Sequence, residues 1–341
     1  MTSMLYYRFK KGRGNVMAAA NQPSTVSPIR TERPRGRSST WRRLGVDLKR
    51  DKYLYLLALP GLLFFLVFKY VPMWGVIISF QNYSPFTGMT GSEWVGFDHF
   101  RRFFSNPDFM MLFRNTMGIS LMNLVLFFPL PIVLSLLLNE VRSTVYKRVV
   151  QSIVYMPHFL SWVIISGLTF LLFAKGDGLV NKMLAGLGAE RIDVLTNPDA
   201  FWPMLTLQSI WKECGWGTIL FLAAMASVDP SVYEAAKIDG AGRFRQMWSI
   251  TLPAIRNVIV VLLILRLGHI MDVGFEQIFL MYNGAVSQVA EVFDTYVYRV
   301  GIQQGQFSYS TAAGLFKSVV GLLLVIVSNW IAKKMGEDGV Y

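Results

Sequence analysis

After a polar opening stretch, the chain runs in long apolar blocks separated by polar connections. Six blocks, at about 53–80, 113–138, 153–173, 201–226, 257–281 and 309–332, are long enough to matter. Crossing about 30 Å of hydrocarbon takes roughly 20 helical residues, and each block reaches or exceeds that length. The apolar positions are continuous rather than alternating. In lipid only helices and closed barrels satisfy every backbone group, and a barrel strand alternates. The pattern therefore predicts an all-α membrane protein with six transmembrane helices.

Residues 1–48 form a separate segment, rich in Arg, Ser, Thr, Pro and Gly, as in Ser27-Pro28-Ile29-Arg30-Thr31-Glu32-Arg33-Pro34-Arg35-Gly36-Arg37. That composition predicts a disordered basic arm. The apolar block that follows exceeds a signal-peptide core and lacks a small-x-small exit, so a cleaved leader is excluded. Arg42-Arg43 reads as a positive anchor before a first span rather than a twin-arginine address. The membrane domain is expected over 49–341.

The net charge of +12 raises the question of nucleic acid, but 13 Lys and Arg against 3 Asp and Glu precede Tyr53. The remainder is close to neutral. Such an arm suits anionic lipid headgroups, and a nucleic-acid partner is excluded. The arm, the connections Glu140–Gln151 and Ser227–Arg256, and the tail carry 22 basic residues, against 6 in the other three connections. By the positive-inside rule both termini are cytoplasmic, in a multi-pass protein of the cytoplasmic membrane. The outer connections, at 27 to 32 residues, are too short for a receptor domain. Capture of a dilute solute must fall to another protein. One cysteine, Cys214, and three scattered histidines offer no disulfide framework and no metal site.

The cytoplasmic connection at 227–253 is the most informative. Asp229 can cap a helix that starts at Pro230, whose missing amide costs nothing there. Ser231 and Glu234 stand at capping-box spacing. Glu234-Ala235-Ala236-Lys237 favours helix, and Gly240 stops it. Gly242 permits a turn into a second short helix, and Pro253 precedes the fifth span. A helix of about ten residues is marginal alone in water, so a partner must hold it. The small side chains of Ala235, Ala236 and Gly240 allow close approach.

Glu234-Ala235-Ala236, then Gly240, then Ile250-x-Leu252-Pro253 resembles the signature loop of permease subunits of binding-protein-dependent ABC importers, without departure over 20 residues. The resemblance implies a type I importer permease fold and a coupling helix seated in an ATPase groove. It also implies an ABC ATPase dimer, a second, related permease subunit and an extracytoplasmic solute-binding protein as partners. The chain has no Gly-Lys pair and hence no phosphate-binding loop. It is therefore no enzyme and needs no cofactor, ATP being bound by the partner subunit. Glu234 is expected to meet a basic residue there.

Charges inside apolar blocks mark pathways or helix contacts. Arg266, His269, Asp272 and Glu276 fall within an arc of about 120° if the fifth block is one helix. They are read either as a wall for solute or as an internally neutralised cluster. Lys212 with Glu213, and Lys317, are read as structural groups snorkelling near the interfaces. Trp74, Trp94, Tyr282, Tyr296 and Tyr298 are expected in an interfacial belt. Asp272-Val273-Gly274-Phe275-Glu276-Gln277-Ile278-Phe279-Leu280-Met281-Tyr282-Asn283 resembles the carbohydrate subclass, in particular permeases for complex oligosaccharides. So do Asp294-Thr295-Tyr296-Val297-Tyr298-Arg299-Val300-Gly301, Gly314-Leu315-Phe316-Lys317-Ser318-Val319-Val320-Gly321, Arg50-Asp51-Lys52-Tyr53 and Tyr155-Met156-Pro157-His158. The subclass implies import of an oligosaccharide, with uronic-acid oligomers among the cargoes. An ion-coupled secondary transporter using the fifth-span acids is the alternative, but it leaves the coupling loop unexplained. An intramembrane enzyme lacks a nucleophile–base pair or metal set.

Overall fold

The structure, a computed structural model, describes residues 50–337 and Gly339, so the arm expected over 1–48 lies outside the described residues. The chain divides into two units, one ending at Leu66 and one starting at Val67. In the first, helix α1 (Lys52–Phe65) buries no side chain. Leu57 and Leu56 are 83% and 63% exposed. Burial of such a side chain is worth roughly 1.5–3 kcal/mol, which a helix apolar all round gains in lipid or against another apolar surface.

Among the described residues, three helical runs are long and apolar enough to cross unbroken: Lys52–Phe80, α2 (Phe109–Asn139) and Phe307–Lys334. Three further candidates are bent pairs, and the total reaches six if each pair is one span. Helix Pro198–Ala226 matches the fourth apolar block. Asn197 caps it by accepting from the Asp199 amide, and Pro198 occupies its first turn.

The third block was expected as one helix over 153–173, and the structure corrects this. Helix α3 (Thr144–Tyr155) and the turn Met156–Phe159 bend by 100° into α4 (Trp162–Phe173). Pro157 lacks an amide, Leu160 and Ser161 are extended, and Ser161 Oγ accepts from the Ile164 amide to start the second helix. The carbonyls freed at the bend belong to His158 and Leu160. Both accept from Lys212 Nζ, at 2.6 and 2.8 Å, across from α5 (Pro198–Ala226).

The loop at 227–253 folds as the short helices α6 (Pro230–Ile238) and α7 (Arg243–Gln246). The fifth block, expected as one helix over 257–281, is also broken. Helix α8 (Arg256–Gly268) ends where Gly268 meets Gly321 of the last span, at a backbone approach where a Cβ on Gly321 would lie 2.5 Å from the Gly268 carbonyl oxygen. Residues 269–274 are irregular, and α9 (Phe275–Met281) starts after Gly274, whose φ is +91°. The Ile270 carbonyl accepts from Ser120 Oγ of α2.

The two ends of the body differ. At one end the connections are packed: Asn106 Nδ2 donates to Tyr296 OH (2.6 Å) and Tyr309 OH (3.0 Å), and Trp202 Nε1 donates to the Val289 carbonyl (2.8 Å). A small antiparallel ribbon, β1 (Gln81–Asn82) and β2 (Glu93–Trp94), lies there with Gln81 opposite Trp94, and Phe201, Ile278, Val286 and Val292 form the densest apolar cluster. There too, α10 (Phe293–Tyr298) precedes α11 (Phe307–Lys334). At the opposite end, Arg256 Nε meets Glu337 Oε1 at 2.5 Å, so the tail and the 227–253 loop share one face of the molecule. Between the ends, buried amides join three helices: Gln277 Nε2 donates to Gln208 Oε1 (2.9 Å), and Gln208 Nε2 to Thr169 Oγ1 (2.8 Å).

Gly215 marks the tightest crossing of α5 over α3, where a Cβ would collide with the Val154 carbonyl. Gly215→Ala is expected to cost about 1–3 kcal/mol through overpacking, read as a lower melting temperature in detergent. Gly167→Ala, at a position with open space, is the control and should leave the melt unchanged.

Candidate functional site

The expected coupling loop is a hairpin of two short helices. Asp229 Oδ1 accepts from the Ser231 amide at 2.9 Å, and Pro230 fills the first helical position. The cap is therefore Asp229, and Ser231 with Glu234 forms no capping box, because Ser231 already lies inside the helix. At the other end Gly240 takes φ +78°. Its amide donates to the Lys237 carbonyl (3.1 Å) and the Ala241 amide to the Ala236 carbonyl (2.8 Å), the paired bonds of a Schellman turn.

The signature residues divide by burial. Glu234, Ala235 and Gly240 are exposed, and Ala236 is half-buried. Ile250 and Leu252 are half-buried, Leu252 packing beside buried Ile255, Phe221 and Met225, while Pro253 is exposed. Tyr233 OH lies 3.0 Å from Thr251 Oγ1, and Gln246 Nε2 donates to the Ala241 carbonyl (2.6 Å), so the two arms are tied together. The tip carries large apolar side chains in the open: Ile238 is 87% exposed, Phe244 75% and Trp248 61%, the last two rings stacked at 6.4 Å. The hairpin base is fixed to the body and its tip leaves an apolar surface exposed.

The second candidate set lies at the fifth-span break. Because α8 ends at Gly268, Arg266, His269, Asp272 and Glu276 do not form one helical arc. The break brings His269 Nδ1 within 3.2 Å of Asp272 Oδ2. Lys317 of α11 reaches Asp272 Oδ1 at 2.9 Å and also contacts Asp294 of α10. These groups line a cleft of about 280 Å³. Arg266 instead faces the Phe127 ring at 5.5 Å and lines a space of about 10 Å³, room for roughly one water and not for a sugar ring. Glu276 is exposed in the first turn of α9 and lies outside both clefts.

Two expectations about charge placement are corrected. Lys317 and Lys212 do not snorkel: their side chains are 10% and 9% exposed, Lys317 held by Asp272 and Asp294 and Lys212 by the His158 and Leu160 carbonyls. Glu213 accepts from His158 Nδ1 at 2.6 Å, and that imidazole stacks on Trp216 at 4.3 Å. Lys212 and Glu213 therefore serve the bend of the third span. Tyr296 is also no belt residue, being 5% exposed with its hydroxyl bonded to Asn106 and Tyr309. Sequence reasoning missed Asp294 as a partner of Lys317, although the two stand 23 residues apart on either side of a connection that must reverse the chain.

Asp229 and Lys317 each yield a test. The Ser231 backbone amide holds the Asp229 carboxyl below the usual carboxylate range. Its cap is fully present above the unfolded-state value and is lost as pH falls through the lower folded value. Hairpin amides are thus expected to exchange slowly at neutral pH in the parent and fast in Asp229→Ala, with Asp229→Asn intermediate. Lys317→Met leaves Asp294 and Asp272 without their shared ammonium, at an expected cost of about 1–3 kcal/mol, since Asp272 is largely exposed. Adding Asp294→Asn should recover part of the lost melting temperature.

Residues 127–337 match the family profile described as binding-protein-dependent transport system inner membrane component. The chain is 58% identical over 294 residues to Protein LplB of Bacillus subtilis (strain 168), covering 86% of this chain and 92% of that protein. It is 55% identical over 300 residues to the polygalacturonan/rhamnogalacturonan transport system permease protein YteP of the same organism, covering 88% and 94%. Among solved structures it is similar to a chain of a bacterial alginate ABC transporter in complex with an alginate pentasaccharide-bound periplasmic protein, with TM-score 0.80, 42% identity, and coverage of 87% of this chain and all of that one. Sequence, hairpin and broken helical spans agree, and the chain belongs to the family of inner membrane components of binding-protein-dependent transport systems.

Proposed function

We propose that this chain is the pore-forming permease subunit of an ATP-driven importer that carries an oligosaccharide, uronic-acid-containing chains included, across the cytoplasmic membrane. Six spans cross the membrane with both termini in the cytoplasm, and the hairpin 227–253 lies on that side. The proximity of Glu337 to Arg256 supports a tail on the hairpin's face. ATP is hydrolysed on a separate ATPase dimer. A second, related permease completes the pore and an extracytoplasmic binding protein delivers the solute. The single observation that carries this reading is a capped, braced hairpin with an exposed apolar tip. The names of two similar proteins, one for polygalacturonan and rhamnogalacturonan and one for alginate, support an acidic polysaccharide fragment as cargo.

Glu234, Ala235 and Ala236 form the docking face in this proposal, Gly240 sets the turn, and Ile250, Leu252 and Pro253 join the hairpin to the fifth span. Force on the tip then reaches the Gly268–Gly274 break, where His269 and Asp272 line the solute path. Arg266 lines a small space beside His269 and Asp272 and is assigned to helix contacts, while Glu276 stands exposed in the first turn of α9. The ion-coupled alternative would need a free acid at that break, whereas Asp272 is shared between Lys317 and His269.

Two substitutions test the coupling. Glu234→Lys reverses the charge offered to the ATPase. Gly240→Pro removes the amide that bonds Lys237 and forbids the positive φ. In reconstituted vesicles both are expected to leave insertion intact and to lower solute uptake per ATP hydrolysed by about tenfold or more, the loss of one charge-assisted contact. Unchanged uptake in Gly240→Pro would count against a coupling role.

A further inference from the structure

A second polar cleft lies at the packed end of the body, away from the fifth-span break. It has a volume of about 210 Å³ and is lined by Arg102, Asn106, Asp108, Tyr296, Arg299 and Gln306, with Tyr309 at its floor. We propose that this cleft recognises one carboxylate-bearing saccharide unit, with Arg102 and Arg299 as the carboxylate donors. The assignment rests on the oligosaccharide reading above and adds a site and a ligand chemistry to it.

Donor arithmetic supports the assignment. A guanidinium carries five N–H donors in a planar fork that matches a carboxylate. Among the described residues, Arg102 gives one to Gln306 Oε1 (3.1 Å) and Arg299 one to Glu291 Oε1 (3.4 Å). Donors remain on both. Both guanidinium groups are also held over rings, Arg102 at 4.9 Å from Tyr309 and Arg299 at 5.3 Å from Tyr296. The two phenols bond each other at 3.0 Å and share Asn106, so the platform under the cations is itself fixed. Preorganised donors lose less entropy when they bind.

Size and charge narrow the ligand. Pockets for whole small molecules are about 300–1,000 Å³, so about 210 Å³ suits one ring of a chain rather than several. Among the lining residues the two cations exceed Asp108 by one charge, which one ligand carboxylate offsets; Glu291, paired with Arg299 from outside the lining, brings the wider set to neutrality and disfavours a second carboxylate. Asp108 repels a second carboxylate and can accept from a ring hydroxyl, which selects a sugar acid over a bare dianion. Gln304 and Gln306 add amides for the remaining hydroxyls.

The test uses the permease–ATPase complex in detergent without its binding protein, so that the cleft's own affinity is read. Trigalacturonate, its fully methyl-esterified form, trimannuronate and maltotriose are titrated against the parent, Arg102→Gln, Arg299→Gln and the double variant. Each loss is expected to raise the Kd for the acidic trimer by about tenfold, the worth of a charged hydrogen bond. Binding of the ester and the affinity for the binding protein should stay unchanged. Size-exclusion profile and melting temperature confirm that each variant assembles. An unchanged Kd in the double variant, or equal weakening for acid and ester, overturns the site. A loss confined to the binding protein's affinity also overturns it and makes the cleft a protein-docking contact. A parent that binds maltotriose and no acid sinks the carboxylate site, and so does a parent that binds no trimer; neither touches the importer reading, which fails only if uptake by the full complex with its binding protein does not depend on ATP.

Discussion

A backbone carbonyl released where a helix breaks within the packed body must find a donor, and the arrangement of this protein follows from where that happens. An unpaired buried carbonyl costs on the order of 1–3 kcal/mol, so a broken span persists only with a partner in place. The 100° bend of the third span frees the carbonyls of His158 and Leu160, and Lys212 takes both. The break in the fifth frees that of Ile270, which Ser120 takes. A charged lysine in the body of a membrane helix thereby becomes a structural necessity. Glu213, bonded to His158 and close to Lys212, balances it.

The second break has a further consequence. Had the fifth span continued past Gly268, Asp272 would have stayed on its axis. Instead the irregular turn carries it toward Lys317 on the last span and, through Lys317, toward Asp294 at the packed end. Three segments are joined by one ammonium group. A single 13-residue helix, α8, links the hairpin to this junction. The hairpin is stiffened at both ends of its first helix, by the Asp229 cap and by the Gly240 turn, so it moves as a unit. Its exposed tip of Ile238, Phe244 and Trp248 has no reason to face water unless another surface covers it.

Most of the helical framework was legible in the sequence, because runs of apolar residues and membrane thickness leave little choice. The hairpin was legible for a different reason. Asp229, Pro230 and Gly240 act on backbone within a few residues of themselves, so local chemistry fixes the turn. The breaks were not legible. Residues 153–173 and 257–281 each read as one predominantly apolar block, and the groups that make a break tolerable sit on other helices: Lys212 lies 52 residues from Leu160, and Ser120 lies 150 from Ile270. The same distance in sequence hid the burial of Tyr296 against Asn106 and made a belt seem the simpler home for it. The charged residues stood out in the sequence, but their partners were set by the folded chain, which joined Asp272 to Lys317 and left Glu276 apart.

The central claim is that the hairpin tip seats on an ATPase and moves with its nucleotide cycle. A single cysteine placed by Ile238→Cys, in a Cys214→Ser background, measures this directly by cross-linking within the assembled complex. The account predicts a cross-link to the ATPase whose yield changes between the nucleotide-free and ATP-trapped states. A tip that links to lipid or to nothing in both states, while uptake continues, would contradict it.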